Sequence, residues 1–146
     1  MKSKLKQFLI LPFIAIICLI GCAKYGEKVK HGHIEVYYLD GISKEQAQRT
    51  ADFFYMVDSM SKNITTKKSM QLCVEKDSFC FRMVVDEKKL ASVPDDAFSA
   101  MGNVLSDSVF SGKPVNVDLT DNHFKTIRTV HYQKIDFDAL PGDSAQ

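Results

Sequence analysis

Motifs that carry chemistry are scarce in this chain. It has no Cys-x-x-Cys, no His-Glu-x-x-His, no Gly-x-Ser-x-Gly and no glycine-rich phosphate loop. A zinc site wants three or four ligands in fixed geometry. A catalytic serine or cysteine wants a histidine and an orienting acid, and a phosphate cradle wants backbone N–H groups freed by glycine. His31 and His33 could offer two imidazoles on one side of an extended segment, but His123 and His131 are far along the chain. No metal, no cofactor and no catalytic residue is therefore assigned, and an enzyme is not the expectation. An excess of one charge is missing too, with 19 Lys and Arg against 18 Asp and Glu. That balance argues against nucleic acid as a partner, which calls for a basic patch or stripe.

Long apolar runs are absent except at the amino terminus. Lys2, Lys4 and Lys6 precede an apolar stretch from Phe8 to Ile20, broken only by Pro12. Charge first, then an apolar run, then small residues is the order of a secretion signal. The run is shorter than the ~20 residues that span a bilayer, which disfavours a transmembrane anchor. Leu19-Ile20-Gly21-Cys22 then resembles the lipobox of bacterial lipoproteins. The resemblance implies cleavage before Cys22, a diacylglyceryl group on its thiol and palmitate-type acylation of the new amino terminus. Two or more acyl chains anchor stably where one does not. In such proteins an Asp after the cysteine often holds the protein in the inner membrane; Ala23 stands there, so the outer membrane is the expected destination. An ordinary secreted protein would have a cysteine at this point by chance.

Removing residues 1–21 leaves 16 basic residues against 18 acidic ones and a chain long enough for one domain. With Cys22 lipidated, Cys73 and Cys80 are the free pair, in a compartment where thiols oxidise. Residues 22–32 read as a polar lipidated tether, 33–135 as the domain and 136–146 as a flexible tail.

The periodicity of the domain predicts its elements. His33 to Leu39 alternates as a strand. Ser43 and Gln46 fit a capping box, with Ile42 placed to staple onto Ala47. Ala47, Ala51, Phe54 and Val57 or Asp58 form the apolar stripe of the helix that follows, widened by Phe53, Met56 and Met60. Met70 to Val85 reads as a hairpin about Lys76-Asp77, which sets Met70 against Met83, Leu72 against Phe81 and Val74 against Phe79. The same register sets Cys73 against Cys80 and Gln71 against Arg82 on the other face. Pro94 opens a second helix with Asp95 and Asp96 at its positive end, and Gly112 closes it. Val115 to Leu119 is a strand, and Phe124 to Tyr132 an extra one.

The order β-α-β-β-α-β is that of a two-layer, ferredoxin-like α+β sandwich, an antiparallel sheet with two helices on one face. The alternative is another two-layer α+β sandwich with a different strand order. The phrases Gly41–Ala47, Phe81–Val85, Leu105–Leu119 and Phe124–Arg128 resemble an uncharacterised small bacterial α+β domain, a module of envelope and membrane proteins. The likeness covers most of residues 33–130 and departs at Cys73 and Cys80. It implies the fold and no activity.

In that fold one sheet face has no helix over it. Tyr37, Leu39, Arg82 and Val84 fall there with the two cysteines. Aromatic and Arg side chains at the centre of an apolar patch suit a protein interface, unless neighbouring segments cover them. Two function classes stay open. One is a non-catalytic binding or assembly module, anchored to membrane by covalent lipid and acting through the sheet face on a protein partner or a second copy. The other is a small ligand-binding protein or enzyme with an unrecognised site. A flat apolar sheet face favours the first, a deep pocket with converging polar groups the second. The cysteine pair is a candidate disulfide.

Overall fold

The computed structural model describes residues 24–136 apart from Asn63. The expected secretion signal, Cys22 and the expected tail beyond Asp136 lie outside the described residues. The described residues fold as an α+β domain with one six-stranded mixed sheet and, among them, three helices. The strands are β1 (Glu27–His31), β2 (Ile34–Tyr38), β3 (Lys68–Glu75), β4 (Ser78–Val84), β5 (Val115–Thr120) and β6 (Thr126–Val130). The helices are α1 (Lys44–Met60), α2 (Glu87–Leu90) and α3 (Asp95–Ser108).

The strands lie in the sheet in chain order. β1 and β2, β3 and β4, and β5 and β6 are antiparallel hairpins, while β2 with β3 and β4 with β5 run parallel. The ferredoxin-like arrangement expected from the element order is corrected by this topology. In a split β-α-β unit another strand sits between the two that a helix joins, whereas here each helix joins direct neighbours. Val36, Met70, Met83 and Leu119 form one cross-strand row, and Tyr38, Leu72, Phe81, Val117 and Val130 form the next. Phe54 of α1 stacks on Phe81, ring centroids 5.1 Å apart and planes 7° from parallel. Gly102 brings α3 onto β5: a Cβ there would sit 2.8 Å from the Val115 carbonyl oxygen. Both helices therefore share one face. In a sheet ordered along the chain, that obliges the two crossovers to have opposite hands, one of them against the usual right-handed preference.

Local signals hold where they are strong. The Ser43 hydroxyl accepts from the Gln46 N–H while the Gln46 side chain accepts from the Ser43 N–H. The hairpin register is the expected one at all five pairs, from Met70–Met83 to Val74–Phe79. The sixth strand takes the place of the expected extra one. Ile135 and Gln133 bond through their backbones to the Asn103 side chain on α3.

Two further expectations are corrected. Residues 27–31, read as part of a tether, form the edge strand β1. Only Val29 of this strand is buried, so a single apolar side chain carried the signal. Met56 and Met60, read as widening the core stripe of α1, are 53% and 79% exposed. They sit beside that stripe rather than on it, and Asp58, not Val57, completes the buried set.

Candidate functional site

The sheet face opposite the helices is polar. Across it run Lys28, Tyr37, Gln71, Arg82, Asp118 and Thr129, each opposite the next. Arg82 is the hub. Its guanidinium donates to the Gln71 amide oxygen at 3.0 Å, to Asp118 at 3.5 Å and to Glu75, while the Thr129 hydroxyl donates to Asp118 at 2.6 Å. Gln71 and Asp118 are buried, and this satisfied network is what lets polar groups sit there.

Cys73 and Cys80 face each other beside this network as buried free thiols. The Cys80 thiol donates to Cys73, and Arg82 adds its positive charge. Together they pull Cys73 below the ordinary thiol range against the burial that would raise it. Cys80 is pushed up by the same bond and by burial. The first proton lost from the pair therefore leaves Cys73. With Glu75 the two thiols form the one group of three metal-capable side chains among the described residues, ligand atoms within 4.8 Å of one another. Three donors fall short of a closed zinc set, and Glu75 is engaged by Arg82.

A second cover lies over β2 and β3. Tyr25 packs edge-on against Tyr37 and Phe124, with ring centroids 6.0 Å and 5.6 Å away, and Tyr37 meets Phe124 at 5.7 Å. The Tyr25 carbonyl accepts from the Gln71 amide at 3.0 Å, and its hydroxyl pairs with His123 Nδ1 at 3.2 Å. The segment before β1 and the β5–β6 turn thus close over the middle of this face. The bare apolar patch expected around Tyr37, Leu39, Arg82 and Val84 is corrected. Tyr37 is half-buried in the aromatic cluster, Leu39 lies against Gly26, Arg82 is held by acids, and Val84 alone is exposed.

Glu35, at the same face, was not singled out by the sequence. It is 3% exposed, and three ammonium groups surround it: Lys67 at 3.0 Å, Lys30 at 3.3 Å and Lys28 at 3.4 Å. Burial works to raise its carboxyl, and the three lysines outweigh that and hold it below the ordinary range.

His31 and His33 flank the β1–β2 turn, and each pairs with an acid of α1. His31 meets Asp52 and His33 meets Asp58, both at 2.7 Å. Tyr55 lies between, stacked on His31 at 4.0 Å and tilted against His33 at 5.8 Å. The imidazoles that a metal would need are used to fasten α1 to the hairpin. Lys68 also reaches Asp58 at 2.7 Å. Burial favours the protonated acid, but Lys68 and His33 keep Asp58 below its usual range.

On the helix face the structure opens instead of closing. α1 packs over β1 and β2, and α3 over β5 and β6, which leaves β3 and β4 at the floor of a gap. A cleft of about 560 Å³ lies there. Phe54, Val57, Met70, Met83 and Met101 line it, with Asp58 and Lys68 among the polar groups at its side. Val57, which the sequence offered for the apolar stripe of α1, stands at its wall.

Among known families, the one described as AF_1994_N, family N-terminal domain, matches residues 28–132. That range takes in all but the first residue of the six strands and all three helices. No curated protein and no solved structure matches the chain.

Proposed function

The chain belongs to the AF_1994_N family, and from that premise we propose that it is a lipid-anchored envelope protein whose domain is a non-catalytic binding module, working through the cleft between α1 and α3. The observation that carries this is the cleft itself: an apolar floor and walls left open between two helices that each pack elsewhere. Three methionines line it, and unbranched thioether side chains adapt to an irregular apolar occupant. Val57 at 37% and Met60 at 79% extend the apolar surface out of the cleft along α1. The sheet face serves this role less well, because its centre is a satisfied polar network under Tyr25 and Phe124. The occupant is an apolar segment of a protein partner in the envelope.

A photoreactive residue at Val57 tests the reading in intact envelopes. A discrete adduct is expected there and not from the same residue at Lys113, and Val57→Asp or Met101→Lys should release the partner without unfolding the domain. If Val57 yields no adduct, or if the complex ignores both substitutions, the cleft is not the binding surface.

A further inference from the structure

The segment expected to hold the domain away from the membrane is part of the fold. β1 begins at Glu27, and Tyr25 is already fixed to the sheet by Gln71, Tyr37 and Phe124. One residue, Ala23, lies between Cys22 and Lys24, and chain geometry limits those two steps to about 7 Å. The chain enters on the sheet face without helices, and four lysines lie along that face from the entry to Glu35. Lys24 stands over the Tyr25 ring at 5.5 Å and Lys28 over the Tyr37 ring at 5.4 Å. Lys28, Lys30 and Lys67, 38%, 58% and 65% exposed, share the single carboxylate of Glu35. Three ammonium groups on one buried carboxylate leave a surplus of positive charge, and each keeps donors free. Without the signal the chain has more acidic than basic residues, so this is a local concentration against the overall sign.

We propose that this face docks on anionic phospholipid, with Lys24, Lys28, Lys30 and Lys67 against the head groups. The proposal rests on the lipoprotein reading and gives it an orientation. Anionic lipid is the occupant that fits both observations, the face from which the chain leaves toward its acylated cysteine and the sign of the charge along that face. A surface potential acts within a screening length of about 8 Å at physiological salt, comparable with the reach of the tether.

Lysine acetylation of the mature lipoprotein, reconstituted in vesicles and read by mass spectrometry, decides it. Phosphatidylcholine vesicles are compared with the same vesicles containing phosphatidylglycerol. Lys24, Lys28, Lys30 and Lys67 should be acetylated about fivefold more slowly on the anionic vesicles, the factor that corresponds to the usual attraction of one lysine. Lys44 and Lys113 should be indifferent. Protection should vanish near 1 M salt, where the screening length falls to about 3 Å, and Lys30→Gln should weaken it at Lys28 and Lys67. Vesicle-bound protein with equal rates on both lipids overturns the proposal. So does equal protection on neutral vesicles, which would mark a second copy or plain apolar contact. An unacylated amino-terminal peptide and protein that fails to sediment with vesicles would overturn the lipoprotein reading itself, a result seen separately in the peptide mass.

Discussion

Cys73 and Cys80 stand directly opposite each other on β3 and β4, on the face away from the helices, with Arg82 close enough to bias the first ionisation toward Cys73. In an oxidising compartment, loss of two protons and two electrons to a disulfide oxidant would join them. We predict that protein taken from the envelope, alkylated before reduction, carries the cross-strand disulfide; two alkylated thiols would exclude it. The two-residue turn at Lys76-Asp77 makes 73–80 a hydrogen-bonded pair, with Cα atoms ~5.5 Å apart, inside the range that a disulfide spans. The closed loop is short, so reduction should lower the melting temperature modestly, at a cost in stability below the ~3 kcal/mol of a 15-residue loop. In the reduced protein, iodoacetamide should label Cys73 before Cys80.

Lipidation at Cys22 has a direct check. Cys22→Ser should leave an unprocessed precursor that takes up no labelled palmitate. Normal cleavage and acylation of that variant would refute the lipobox assignment.

Acid should destabilise the domain through Glu35 and Asp58. Both carboxyls are held below their ordinary values of 4.5 and 3.8. A depressed folded-state value contributes stability that is fully present above the unfolded value and is lost as pH falls through the folded one. Thermal melts should therefore be flat near neutrality and fall as the pH drops below about 4.5. Glu35→Gln should flatten part of that fall, and Lys68→Gln should shrink the part that Asp58 contributes. Melting temperatures of Glu35→Gln that track wild type down the whole acid limb would remove Glu35 from the account.

Gly32 sets the β1–β2 turn at a φ of +55°, and a Cβ there would lie 2.5 Å from the Tyr55 ring. Gly32→Ala should cost about 1–3 kcal/mol, from left-handed strain and from displacing the ring that His31 and His33 enclose. Urea unfolding measures it. A loss below about 0.5 kcal/mol, the scale of an ordinary surface change, would show that α1 is not fastened here.

Much of this protein was legible without coordinates, wherever the information is local or pairwise. Ser43 and Gln46 announce the start of α1 because a capping box is satisfied within one turn. The register from Met70–Met83 to Glu75–Ser78 follows because a one-residue slip would turn every apolar side chain of the hairpin to the wrong face. The opposition of the two cysteines came with that register. The edge strand β1 was missed because a strand at the rim buries one side chain, Val29, and otherwise looks like tether. Strand order could not be read, since the same alternating strands bury the same face in several orders. Only long-range packing, Phe54 on Phe81 and Gly102 against Val115, decided that both helices share one side of a sheet ordered along the chain. The same packing decided the sites. Whether Val57 is core or cleft wall depends on where α3 lies, and the surroundings of Glu35 depend on bringing Lys28, Lys30 and Lys67 together from one strand and a distant loop. Periodicity records which side of an element is apolar; what meets that side is set by contacts between residues far apart in the chain.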